Sequence, residues 1–101
     1  MPINLDELLL RQVREILNEY VPNCEVWAFG SRVGKHAKPC SDLDLAIVAP
    51  DAVGVRTLAI LADAFEESDL PIRVDIVDWQ SVNPAFRAQI AGRHEVIFRP
   101  V

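Results

Sequence analysis

Apolar residues at the start of the chain fall at three- and four-residue intervals: Leu5, Leu8, Leu9, Val13, Ile16, Leu17 and Tyr20. That period predicts a helix over 5–20 with one buried stripe, and Asn4 followed three positions later by Glu7 has the residue types of an N-cap with a reciprocal capping contact. Pro22 and Asn23 end it. Glu25-Val26-Trp27-Ala28-Phe29 is short, aromatic-rich and stopped by Gly30, which reads as a strand. Leu43-Asp44-Leu45-Ala46-Ile47-Val48 reads as a second strand, closed by Pro50-Asp51, where proline removes a ladder donor. From Val55 to about Glu67 the helical period returns through Leu58, Leu61, Ala62 and Phe65, with Asp63, Glu66 and Glu67 toward solvent. Residues 71–78 alternate, setting Ile72, Val74 and Ile76 on one face and Arg73, Asp75 and Val77 on the other.

Asn83-Pro84 opens a short helix in which Val82, Phe86 and Ile90 lie four apart, Gly92 supplies a stop, and Val96-Ile97-Phe98 reads as a small edge strand. The order α-β-loop-β-α-β-α-β describes one α/β (α+β) domain over 1–101, a small mixed sheet with helices covering one face. Trp27 and Phe29 are expected to pack beneath the first helix. No repeat or linker interrupts the chain.

Composition narrows the function classes. Half of the 101 residues are hydrophobic and a quarter are charged, the balance of a self-contained core rather than of disorder. No apolar run approaches the roughly 20 residues that span a bilayer, and Met1-Pro2-Ile3-Asn4 lacks the layout of a signal peptide, so a soluble, cytoplasmic protein is expected. Ten Lys and Arg against fifteen Asp and Glu give a net charge of −5, which argues against direct nucleic-acid binding through a broad basic surface. An anionic ligand would need a local basic patch. Cys24 and Cys40 are expected as free thiols, and His36 and His94 as surface residues too few for a zinc site.

Four features converge on one place. Asp42 and Asp44 are two apart at the start of a strand, so both leave the same face and their oxygens can share hard cations. Asp75 interrupts an apolar strand and completes a triad of carboxylates if the third strand lies beside the second. Asp78 competes with it, but parity puts Asp78 on the apolar face or in the following turn. Gly30-Ser31 ends the first strand, where glycine lets backbone amides approach an anion and the hydroxyl adds a donor. Arg32, Lys35, His36 and Lys38 form an acid-free basic cluster. Phosphate-binding groups on one side and a magnesium-binding triad on the other describe a nucleoside triphosphate held by its phosphates. Taken singly, an Asp-x-Asp pair is an ordinary turn, a basic run is a solvated loop, and Asp75 is a surface acid paired with Arg73.

Gly30-Ser31-Arg32, ten residues between Ser31 and Asp42, and then Asp42-Leu43-Asp44-Leu45 resemble the signature of minimal nucleotidyltransferases, small members of the DNA polymerase beta superfamily. The resemblance extends to Asp75 as the third acid and to Phe86–Phe98 as the closing helix and strand. It departs at Gly34-Lys35, where family members often carry an arginine and then a glycine. The family likeness implies a polymerase-beta-type fold, two Mg2+ ions held by Asp42, Asp44 and Asp75, and ATP as the substrate whose phosphates meet Gly30, Ser31 and Arg32. It further implies transfer of AMP to a hydroxyl acceptor. Such proteins are commonly paired with a helical HEPN toxin, which they neutralise by binding and in some systems by adding AMP to a tyrosine. The alternatives are a non-catalytic antitoxin that only masks its partner, and the catalytic subunit of an aminoglycoside-type enzyme. The oligomeric state, homo- or hetero-oligomer, stays open.

Overall fold

The computed structural model describes residues 3–34 and 41–100. Helix α1 runs Glu7–Tyr20, strand β1 Glu25–Phe29, β2 Leu43–Val48, α2 Val55–Glu67, β3 Val74–Asp78, α3 Pro84–Gly92 and β4 Glu95–Phe98; single 3-10 turns lie at Gly30–Arg32 and Trp79–Ser81. The sheet order is β3-β2-β1-β4. β1 is antiparallel to both β2 and β4, whereas β2 and β3 are parallel, as a crossover through α2 requires.

The helix start differs from expectation. Asp6, not Asn4, caps α1, its carboxylate accepting from Leu8 N at 2.8 Å. Asn4 is occupied elsewhere: its N–H donates to Arg32 O and its own carbonyl accepts from Arg32 Nη1, beside an isolated bridge between Ile3 and Val33. The entry to α1 is therefore tied to the far end of β1 before the helix begins.

One sheet face carries the main core. Val26 and Ala28 of β1, Leu43, Leu45 and Ile47 of β2 and Ile97 of β4 are buried there against Val13 and Leu17 of α1 and Leu61 and Phe65 of α2. Removing each Val, Leu, Ile or Phe side chain of this set from water contributes about 1.5–3 kcal/mol before the entropy of ordering it is subtracted. The other face is not bare, which corrects the expectation that helices cover one face only. There Phe29, Ala46 and Ile90 form a second buried cluster, joined by Trp27, Val48, Val77, Trp79 and Phe86, so α3 packs opposite α1 and α2.

The same period-two rule moves the aromatic residues. Because Val26 and Ala28 face α1, Trp27 and Phe29 face away from it, rather than packing beneath the first helix. Phe29 meets Phe86 edge to face at 5.6 Å. Trp27 stacks on His94 at 4.1 Å and meets the edge of Trp79 at 4.8 Å, which makes His94 half-buried instead of a free surface residue. Asp78, 4% exposed, closes β3 by accepting from Val53 N at 2.8 Å and Gln80 N at 3.1 Å. It caps a turn, in accord with its parity. Cys24 is a free, half-buried thiol, its pKa pushed up by burial and then by the Asp78 charge, which leaves little reactive thiolate. Cys40 lies outside the described residues.

Candidate functional site

Strand register assembles the site. Phe29, the last residue of β1, is opposite Asp44 of β2, and Asp44 is opposite Asp75 of β3. Three adjacent strands therefore present the Gly30-Ser31 turn, Asp44 and Asp75 in a row across the face that α3 partly covers. Leu43 and Leu45 anchor the backbone between them by burial in the main core on the other face. Asp42, immediately before β2, is exposed at the same end of the row.

Gly30 is required by two independent constraints. Its φ of 77° lies in the left-handed region that side chains disfavour, and a Cβ there would collide with Asp44 Oδ2. The turn backbone thus abuts the carboxylate, with Val33 N donating to Gly30 O at 3.1 Å to close it. The Asp44 carboxyl is pushed above its ordinary value, first by burial and then by the charges of Asp75 and Asp42. A cation near Asp44 would screen the repulsion from Asp75 and Asp42 and compensate the charge that burial disfavours.

The row opens onto a cavity of about 550 Å³, within the range of small-molecule sites. Gly30, Ser31, Asp44 and Asp75 form its polar side. Phe29, Val77, Phe86 and Ile90 form an apolar wall, and Gln89 and Arg93 of the α3 end complete it. An apolar wall beside two carboxylates lowers the local dielectric and strengthens charge interactions with whatever enters.

Oxygen donors of this hardness suit Mg2+, and a divalent ion would offset the Asp44 charge that burial, and then Asp75 and Asp42, disfavour, so the chemistry of the donor set fits such an ion. They are not drawn tightly together: among the described residues no three carboxylate, His or Cys side chains gather closely enough to hold a metal. Asp75 is instead turned to Arg73, whose Nε donates to Oδ1 at 3.1 Å, with both side chains substantially exposed. A surface pair of that kind is worth about 0–1 kcal/mol, a weak competitor for a divalent cation.

The structure places Arg32 away from the cavity. It is 6% exposed, absent from the cavity lining, and its guanidinium donates to Ser41 O and Asn4 O at 3.0 Å each. Ser41 stands at the far end of the loop between β1 and β2, so Arg32, at its near end, ties the two ends together and both to the segment before α1. Lys35, His36 and Lys38 lie outside the described residues. Gly34 takes φ 111°, a conformation arginine rarely adopts, so the backbone itself accounts for glycine at that position. Among the described residues, the cation that lines the cavity is Arg93, 60 positions beyond Val33, to whose carbonyl its Nη2 donates at 2.5 Å. Nothing in local spacing signals that approach, because it depends on how α3 returns across the sheet.

A four-stranded mixed sheet with a Gly-Ser turn facing paired strand carboxylates accords with the polymerase-beta-type nucleotidyltransferases. The chain belongs to that family: the profile described as "Polymerase beta, Nucleotidyltransferase" matches residues 11–100. It is 44% identical over 97 residues to a Haemophilus influenzae protein named probable protein adenylyltransferase MntA, covering 96% of this chain and 83% of that one. Among solved structures, a toxin-antitoxin with AMP-PNP superposes with a TM-score of 0.75 at 23% identity, over 89% of this chain and 73% of that chain. A tri-AMPylated Shewanella oneidensis HEPN toxin in complex with MNT antitoxin gives a TM-score of 0.73, also at 23% identity, over 94% and 73%. At such identity the structural likeness establishes the common fold. No helix of the described residues is long and apolar enough to cross a membrane.

Proposed function

We propose that this protein transfers AMP from ATP to a tyrosine hydroxyl of a HEPN toxin and so acts as its antitoxin in the cytoplasm. The observation that carries the reading is the row Gly30-Ser31, Asp44, Asp75 along one cavity wall. The 44% identical relative named as a probable protein adenylyltransferase supports AMP as the group moved, and the fold shared with an AMPylated HEPN toxin's antitoxin supports the partner.

In this reading Asp42, Asp44 and Asp75 would hold Mg2+, which when bound would offset phosphate charge and lower the pKa of the acceptor hydroxyl. The Gly30-Ser31 amides and the Ser31 hydroxyl donate to phosphate oxygens, where negative charge grows during displacement. Asp75, at the edge-strand end of the row, faces the acceptor and receives its proton or orients it. The wall of Phe29, Val77, Phe86 and Ile90 holds the nucleoside part and keeps water from competing with the tyrosine. The acceptor oxygen attacks the α-phosphorus, and pyrophosphate leaves on the opposite side.

The test is incubation of the protein with ATP, Mg2+ and the purified HEPN partner, followed by intact-mass measurement. A mass gain of one AMP on the partner, absent with Asp44→Asn and after chelation by EDTA, is the expected result. Neutralisation of the toxin with no adduct would replace this reading with a binding-only antitoxin.

A further inference from the structure

We propose that Arg93 is the residue that neutralises the negative charge building on the leaving pyrophosphate. The inference rests on the nucleotidyl-transfer reading above and deepens it by naming a catalytic group that neither the Gly-Ser turn nor the acid triad contains.

The lateral order of the sheet carries the argument. Asp75 stands on β3 at one edge, Asp44 on β2 beside it, and Gly30-Ser31 at the end of β1 next. Arg93 follows on the far side, between the end of α3 and the start of β4, the strand that pairs with β1. In an in-line displacement the attacking and leaving oxygens sit on opposite sides of the phosphorus. If the acceptor enters beside Asp75, the leaving group departs toward Ser31 and Arg93.

Charge points the same way. The described lining contains two carboxylates and one cation, Arg93. Arg32 cannot supply a second from where it lies, since its buried guanidinium serves Asn4 O and Ser41 O. Arg93 is also held to the phosphate-binding turn, for its Nη2 donates to Val33 O, the residue immediately after the Gly30–Arg32 turn. A guanidinium has five N–H donors in a planar fork, and one bond to a carbonyl leaves the fork able to meet phosphate oxygens. As the α–β phosphoanhydride bond breaks, its electron pair goes to the pyrophosphate oxygen. The acceptor oxygen forms the new bond to phosphorus and its proton passes to Asp75 or solvent. Arg93 neutralises the charge that builds on the departing side.

The experiment is calorimetric titration of the full chain with ATP, with pyrophosphate and with AMP, each with Mg2+, for wild type, Arg93→Gln and Arg93→Lys. Loss of a charge-assisted fork predicts about tenfold or greater weakening of pyrophosphate binding in Arg93→Gln with AMP binding unchanged. Arg93→Lys should restore part of the loss, and kcat for AMP transfer should fall in the same order. Equal loss of AMP and pyrophosphate would assign Arg93 a structural role through Val33 and overturn the inference. Unchanged pyrophosphate binding in Arg93→Gln, with wild type binding ATP normally, would overturn the inference alone. Failure of wild type to bind ATP at all would overturn the transfer reading and the inference with it.

Discussion

Asp44 and Asp75 are register partners across the parallel β2–β3 pair, and the Asp44 carboxyl is held above its ordinary value of 3.8 first by burial and then by the charge of Asp75. The sheet thus stores repulsion at the place where a divalent ion would relieve it, trading stability for function.

Asp44→Asn should therefore be inactive and more stable. With its folded pKa raised, the folded protein keeps the Asp44 proton at pH values where the unfolded chain has released it, so stability falls as pH rises from 3.8 through the folded pKa. Above that window the full cost is present. Thermal melting should show the variant's gain at neutral pH, shrinking to nothing as the pH drops below the usual aspartate range. A variant less stable than wild type at pH 7 would contradict the electrostatic account.

Gly30→Ala should damage both fold and activity. The new Cβ meets Asp44 Oδ2 in a backbone conformation with positive φ, so the turn or the carboxylate must shift. Strain of this type costs about 1–3 kcal/mol. Urea denaturation should register that loss, and AMP transfer should fall more than the unfolded fraction explains.

Arg32→Met separates a structural arginine from a binding one. It leaves the Asn4 and Ser41 carbonyls without their charged donor, at a cost of about 2 kcal/mol or more. The melting temperature should drop by roughly 10 °C for a domain of this size. Well below that temperature, ATP binding should stay near the wild-type value; selective loss of ATP binding from a stable variant would return Arg32 to the phosphate site.

Much of this architecture is visible in one-dimensional patterns, because strand parity and helical spacing report which face is buried. Leu43, Leu45 and Ile47 announce the core face, and that fixes Asp44 on the other. Asp78 is separated from Asp75 by the same parity. What spacing does not carry is which of several chemically equivalent groups is used. Asn4 and Asp6 are both capping residues, and Asp6 caps because Arg32 engages the Asn4 backbone. Trp27 and Phe29 read as core residues, but the second face became their core only when α3 packed there. Arg93 reaches the cavity and Arg32 does not for a similar reason: adjacency in sequence favours Arg32, whereas a contact across 60 residues sets Arg93 in the lining.

Asp78→Ala tests the turn that aligns β3. Its carboxylate holds Val53 N and Gln80 N, so removal strands two backbone donors and should cost about 1–3 kcal/mol. Because Asp78 lies outside the cavity lining, the folded variant should still transfer AMP, a combination that stability curves and partner mass measurements can establish together.

The central claim is that Asp42, Asp44 and Asp75 act as one metal-dependent transfer site on a protein acceptor. Intact mass of the HEPN partner after reaction with ATP and Mg2+ tests it most directly. The account predicts addition of AMP to a tyrosine by wild type and none by Asp42→Asn, Asp44→Asn or Asp75→Asn proteins that remain folded and still bind the partner. An adduct of undiminished yield from any of these three variants would contradict it.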